Sequence, residues 1–175
     1  NLSLDRNVIT DKVLGQGQTP TYVFTPTYIE EGHLIQQPAY SKEPMAQRNE
    51  EAIKLLEEAG YSKANPLKFS ILYNTNENHK KVAIAAASMW KANTKGLIDV
   101  KLENQEWKTY IDSRRAGRYD AARAGWNADY NQATTFGNYF LSNSSNNTAK
   151  YANPEYDKAI AESYVATDAE GRAKA

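Results

Sequence analysis

The chain has 175 residues, and its 21 basic side chains are balanced by 21 acidic ones. That balance argues against nucleic acid or an anionic membrane as the main partner, since both select basic surfaces, and no apolar run is long enough to cross a bilayer. Because the chain has no cysteine, disulfides, thiolate chemistry and cysteine-based metal sites are excluded. The length predicts one sizeable domain.

The first third of the chain predicts two helices separated by an irregular segment. Residues 4–14 predict a short helix that Ser3 caps and Gly15 ends. Between residues 16 and 40, prolines and tyrosines interrupt any periodicity, which indicates an extended surface segment. An apolar stripe within residues 50–59 then predicts an amphipathic helix.

The middle of the chain predicts alternating strands and helices. Apolar alternation predicts strands at 67–73, 98–102 and 119–126. Residues 79–93 are rich in alanine and apolar nearly all round, which predicts a buried helix, and 107–115 predict a shorter one. The order strand, helix, strand, helix, strand is typical of an α/β fold with an open, mainly parallel sheet covered by helices.

The last part of the chain predicts two more helices. Residues 134–141 predict an aromatic-rich helix. Further on, Asn153 is placed to cap a helix whose first position is Pro154. The spacing of Tyr156, Ile160 and Tyr164 places all three on the buried face of that helix.

The carboxyl end of the third predicted strand, residues 123–129, carries the densest group of candidate site residues. Ligands of open α/β sheets bind outside the carboxyl ends of the strands. Arg123 is a fixed cation suited to a carboxylate, and Asp129 is an acceptor suited to an ammonium group. Gly125 allows close approach of a ligand backbone, and Trp126 offers an apolar face. The alternative interpretation is an internal ion pair between Arg123 and Asp129, with Trp126 in the core.

A second candidate site follows the first predicted strand. His79, Lys80 and Lys81 stand at the expected start of a helix, where backbone N–H groups favour an anion such as a carboxylate. The alternative interpretation is three solvated side chains, which cost little at a surface.

The sequence contains few of the residues and motifs that catalytic sites use. His79 has no His, Asp or Glu three or four residues away, and His33 lies in the segment for which no helix is predicted, so neither has a ligand or base partner on one helix face. No nucleophile elbow, P-loop or dinucleotide fingerprint is present. We therefore expect no enzyme, no metal and no cofactor. The alternative from another class is a carbohydrate-active enzyme that uses Tyr and Trp as sugar platforms, although no acidic pair stands out for that chemistry.

Several motifs together resemble one family, the periplasmic oligopeptide-binding proteins of ABC transporters, which form family 5 of the bacterial solute-binding proteins. The segments that carry the resemblance are RNEEA at 48–52, LYNT at 72–75, HKK at 79–81, NQEW at 104–107, ARAGWNADYN at 122–131 and LSNSS at 141–145. The resemblance implies a periplasmic-binding-protein type lobe with a mixed, mostly parallel sheet flanked by helices. It further implies that residues 1–175 are a single carboxyl-terminal lobe of a larger, two-lobed protein whose other lobe is absent.

The resemblance also implies roles for individual residues. Asp129 matches the aspartate that pairs with the α-ammonium group of a peptide, and Arg123 and His79 match positions that meet its carboxylate. The other implied ligand-binding positions are Gly125 and Asn127 for the peptide main chain, and Trp107, Arg114 and Trp126 for the side-chain pockets.

The function implied is capture of oligopeptides in the periplasm through main-chain and terminal-charge contacts, followed by delivery to the permease subunits of an ABC transporter. The expected partners are thus a peptide and the permease, without nucleic acid and without membrane insertion. The alternative within the same fold is a binding protein for murein peptides or another small solute.

Overall fold

Three parallel strands form the sheet of the computed structural model, which describes residues 1–175. They are β1 (Leu67–Asn74), β2 (Ile98–Gln105) and β3 (Ala121–Ala122), in the order β2-β1-β3. Central β1 pairs with β2 along its whole length, and its Leu72 is fully buried. The α/β prediction, with a parallel sheet and helices between its strands, is confirmed.

Seven α-helices accompany the sheet, several with short 3-10 or π turns beside them. The α-helices are α1 (Arg6–Val8), α2 (Met45–Glu58), α3 (Glu77–Asn93), α4 (Trp107–Arg115), α5 (Thr134–Gly137), α6 (Pro154–Val165) and α7 (Ala169–Lys174). The predicted order strand, helix, strand, helix, strand is β1-α3-β2-α4-β3 and is confirmed. None of these helices combines the length and the apolar character needed to span a bilayer.

The chain divides into two compact units. The first contains Asn1–Pro20 and Ala39–Arg123, and so holds the whole sheet. The second contains Thr21–Pro38 and Ala124–Ala175. The single lobe expected for residues 1–175 stays a prediction.

Helix α3 covers β1 and β2 with one face. Its N-cap is Asn76, whose side-chain oxygen accepts hydrogen bonds from the backbone N–H groups of Asn78 and His79. Ala83 and Ala86 are buried, whereas Ile84 is exposed. The prediction of a helix buried nearly all round is therefore wrong: alanine lets the helix approach the sheet closely on one side, and the other side stays open.

The first predicted helix differs from expectation at its start and in its geometry. Asp5, and not Ser3, caps it by accepting a hydrogen bond from the N–H of Val8. After Val8 the chain continues as a π-helix over Ile9–Leu14. Gly15 ends the helix as predicted, with a φ of 62° that suits glycine.

Strand β3 is much shorter than the predicted 119–126. The Asp120 carboxylate accepts hydrogen bonds from the backbone N–H and the hydroxyl of Ser70. A side chain therefore occupies the position where the backbone of a longer strand would pair. After Arg123, whose N–H donates to the Leu72 carbonyl at 2.8 Å, the chain enters the second unit.

The second unit begins with the proline-rich segment, which was predicted to lie on the surface. Ile29, Glu31 and Gly32 in that segment are buried, so this part of the prediction is wrong. The physical reason is that Glu31 has partners distant in sequence, which local periodicity does not reveal.

The carboxyl-terminal helices agree with prediction in part. The helix predicted at 134–141 is α5 followed by a 3-10 turn over Asn138–Phe140. Asn153 caps α6, with Pro154 at its first position, as predicted. Tyr164 is 56% exposed, so its assignment to a buried face is wrong, and Ser163 is buried instead.

Candidate functional site

The eight predicted site residues divide between the two units. Those in the first unit are His79, Trp107, Arg114 and Arg123, and those in the second are Gly125, Trp126, Asn127 and Asp129. No group of three or more His, Asp or Glu side chains within residues 1–175 is arranged to hold a metal ion.

Arg123 has a fixed backbone at the carboxyl end of β3. Its N–H continues the sheet by donating to Leu72, and its carbonyl accepts a hydrogen bond from the hydroxyl of Tyr110. Tyr110 is 1% exposed, so this second bond is shielded from water. The guanidinium of Arg123 is half-buried and enters none of the ion pairs of the first unit. A fixed cation without a carboxylate partner is suited to an incoming anion.

His79 lies in the first turn of α3, and the positive charge of Arg123 acts on its imidazole. Burial, and then the positive charge of Arg123, lower the pKa of His79 below its ordinary value. Its Nδ1 atom is buried and has no hydrogen-bond partner. Lys80 and Lys81, the next two residues, are exposed, which agrees with the interpretation of solvated side chains. His79 and Arg123 thus lie close to each other, and neither has an anionic partner among the ion pairs of the first unit.

Helix α4 presents Trp107 and Arg114 around the ring of Tyr110. The Trp107 ring centroid lies 5.7 Å from that of Tyr110, and the Arg114 guanidinium lies 5.6 Å from the Tyr110 centroid. Residues three and four apart share one face of a helix, which explains the arrangement. Trp107 is 55% exposed. This face of α4 therefore presents the exposed Trp107 ring, with the Arg114 guanidinium on the other side of the Tyr110 ring.

Trp126 belongs to an aromatic cluster of the second unit. Its ring meets Tyr139 edge-on, with centroids 5.5 Å apart, and Tyr139 in turn contacts Phe24 and Phe140. The indole N–H of Trp126 is buried and has no acceptor. The Trp126 ring thus packs against the aromatic cluster, while its half-buried side chain keeps an accessible part.

Asp129 combines an exposed carboxylate with a fixed backbone. Its N–H donates a hydrogen bond to the hydroxyl of the buried Thr135, at 3.0 Å. The carboxylate enters none of the ion pairs of the second unit. Gly125 and Asn127, on the same segment, are exposed as well.

Three residues that the sequence did not point to bond the backbone at or near predicted site residues. Tyr110 donates to the Arg123 carbonyl, Thr135 accepts from the Asp129 N–H, and Glu31 accepts from the N–H of Ala133, four residues after Asp129. The helical spacing between Trp107, Tyr110 and Arg114 is a local signal for Tyr110. No comparable local pattern in the sequence marks Glu31 or Thr135.

Comparisons with known proteins agree on one family. The family described as bacterial extracellular solute-binding proteins, family 5 Middle, matches residues 1–148. The chain is 98% identical over 175 residues to the periplasmic oligopeptide-binding protein OppA of Haemophilus influenzae, covering all of this chain and 32% of the relative. It is 46% identical over 162 residues to the periplasmic murein peptide-binding protein MppA of Escherichia coli, covering 93% of this chain and 30% of the relative.

A solved structure gives the same result for the fold. The crystal structure of Haemophilus influenzae OppA in complex with RPPGFSPFR matches with a TM-score of 0.95 and 98% identity, over 99% of this chain and 34% of the crystallised one. The chain spans about a third of the length of the curated relatives it matches. The chain belongs to family 5 of the bacterial extracellular solute-binding proteins.

Proposed function

We propose that this chain is part of a periplasmic oligopeptide-binding protein that captures peptides and passes them to the permease of an ABC transporter, without chemistry of its own. The observation that carries the proposal is the unpaired, exposed carboxylate of Asp129 on a fixed backbone. Relatives named for oligopeptide binding support it. We further propose that residues 1–175 form one lobe of a complete, two-lobed protein.

The proposed recognition relies on what all peptides share. Asp129 accepts the α-ammonium group, and the exposed main chain at Gly125 and Asn127 pairs with the peptide backbone. Such contacts give affinity without sequence preference. Closure of a second lobe removes water and so strengthens the interactions between charges.

His79 and Arg123 provide the proposed site for the peptide carboxylate. Both are cationic or can become so, and neither has an anionic partner among the ion pairs of the first unit. Trp107 and Arg114 of the first unit, and Trp126 of the second, are the residues proposed to contact ligand side chains. Because they offer both aromatic faces and a guanidinium, they favour broad side-chain tolerance.

The test is calorimetric titration of the complete protein with a tripeptide, repeated with Asp129→Asn. Loss of the carboxylate leaves the buried ammonium group unpaired, and we expect a loss of affinity of about 100-fold. Asp99→Asn is the matched control, because Asp99 is also exposed but lies near the opposite, amino-terminal end of β2. Equal affinities for wild type and Asp129→Asn would contradict the role of Asp129.

The second candidate is a murein-peptide binding protein, which the likeness to MppA favours. Titration with a murein tripeptide beside an ordinary tripeptide separates the two functions. We expect tighter binding of the ordinary peptide. Mass spectrometry of the recovered ligand then tests for turnover, and we expect the peptide to be released unchanged, as for a binding protein and unlike an enzyme.

A further inference from the structure

Glu31 is a fully buried carboxylate in the second unit, with 0% of its surface exposed. Burying a carboxylate costs several kcal/mol, roughly, unless a cation and hydrogen bonds compensate it. Arg172 of α7 provides the cation through an ion pair between its Nε and the Oε1 of Glu31. The same guanidinium also lies 3.4 Å from the carboxylate of Glu30. Arg172 itself is only 13% exposed, so the pair is largely shielded from water.

The second oxygen of Glu31 binds the segment that follows Asp129. Its Oε2 accepts a hydrogen bond of 2.7 Å from the N–H of Ala133. One residue earlier, the N–H of Glu30 donates to the side-chain oxygen of Asn131 at 2.9 Å. Residues 30 and 31 therefore hold residues 131 and 133 from a distance of about a hundred positions in sequence.

The segment from Asp129 to Thr135 is thus fixed at three points. Asn131 and Ala133 are held by residues 30 and 31, and the N–H of Asp129 is held by Thr135. The Asp129 carboxylate stays outside all of these bonds. An acceptor on a rigid segment binds a cation without first losing conformational entropy, which raises affinity.

From this arrangement we propose that Glu31 and Arg172 are positioning residues, which hold the segment so that Asp129 faces the ammonium group of the ligand. The proposal rests on the proposed function. A role in stability alone explains the arrangement poorly, because a buried ion pair stabilises a fold no better than well-packed apolar side chains do. One Glu31 oxygen pairs with Arg172 and the other accepts from the N–H of Ala133, as a positioning role requires.

The experiment measures the amine preference of the complete protein, defined as its affinity for a tripeptide divided by its affinity for the N-acetylated tripeptide. Glu31→Gln keeps the shape of the side chain but removes the charge that pairs with Arg172. We expect the amine preference to fall about tenfold, because the fixed geometry that favours a charge-assisted bond is lost. In an Asp129→Asn background the same change should have no further effect, since the two residues act on one contact.

Three further variants complete the test. Glu162→Gln, which removes an exposed ion pair with Lys158 on α6, is the control and should leave the preference unchanged. Asn131→Ala removes an exposed tether and is used if Glu31→Gln does not fold; it should lower the preference severalfold. Conservative replacement by Arg172→Lys should retain part of the preference.

The outcomes separate the two proposals. Equal losses for free and acetylated peptides in Glu31→Gln, or an unchanged preference in Glu31→Gln or Asn131→Ala, overturn the positioning role alone. A wild-type preference near one overturns the proposed function, and the positioning role with it.

Discussion

The hydroxyl of Tyr110 donates a hydrogen bond to the backbone carbonyl of Arg123. The donor lies on α4 and the acceptor lies one residue after β3, so this bond joins the helix to the end of the sheet. The Tyr110 ring also contacts the ring of Trp107 and the guanidinium of Arg114. One buried tyrosine therefore contacts three predicted site residues and holds the backbone of one of them.

Replacement of Tyr110 by Phe should lower the free energy of unfolding by about 1–2 kcal/mol, because the buried carbonyl of Arg123 loses its donor. The measurement is urea denaturation of the complete protein. Tyr28→Phe is the control, since Tyr28 is 78% exposed and its hydroxyl is free to bond water. A midpoint for Tyr110→Phe equal to that of the control would show that water replaces the lost bond.

Replacement of Asn76 by Ala should destabilise the protein by about 1 kcal/mol, the usual cost of losing a helix N-cap. Asn76 accepts hydrogen bonds from two backbone N–H groups of α3, one of which belongs to His79. Asn76→Asp is the matched control, because aspartate caps equally well and favours the helix dipole. Thermal unfolding of the two variants measures the difference, and equal losses in both would exclude a capping effect.

Peptide affinity should increase as the pH falls through the range in which His79 titrates. In the free protein, burial and Arg123 lower the pKa of His79 below its ordinary value. A bound carboxylate raises that pKa, so binding takes up a proton. Affinity therefore increases as the pH falls from the pKa of the bound state to the lower pKa of the free state.

Titrations between about pH 7.5 and about pH 5.5 test this dependence. We expect a flatter profile for His79→Gln and an unchanged one for His33→Gln, because His33 is exposed and lies in the other unit. An identical slope in wild type and His79→Gln would place the titrating group elsewhere.

Local patterns predicted most of the fold because the elements concerned carry their own signals. Apolar alternation located β1 and β2 to within a few residues, and Asn153 with Pro154 located the start of α6. Strand β3 begins two residues later than predicted because the Asp120 side chain accepts from the N–H of Ser70 in place of a backbone partner.

The sequence points to the candidate site residues but not to the contacts that hold them in place, and for a physical reason. Residue chemistry and family resemblance pointed to Asp129, Arg123 and His79. The residues that hold them act over long sequence distances, as in the hydrogen bond from Ala133 to Glu31, and no periodicity reveals such a contact. A buried glutamate in a proline-rich segment has the sequence signature of a surface loop.

The most direct test of the proposed function is the calorimetric comparison of a tripeptide with its N-acetylated form, in the complete wild-type protein and in Asp129→Asn. We predict that acetylation of the tripeptide weakens its binding to the wild type by about 100-fold. Acetylation should have little effect on binding to Asp129→Asn, which lacks the carboxylate. Equal affinity of the wild type for both peptides would contradict recognition of the peptide amine by Asp129.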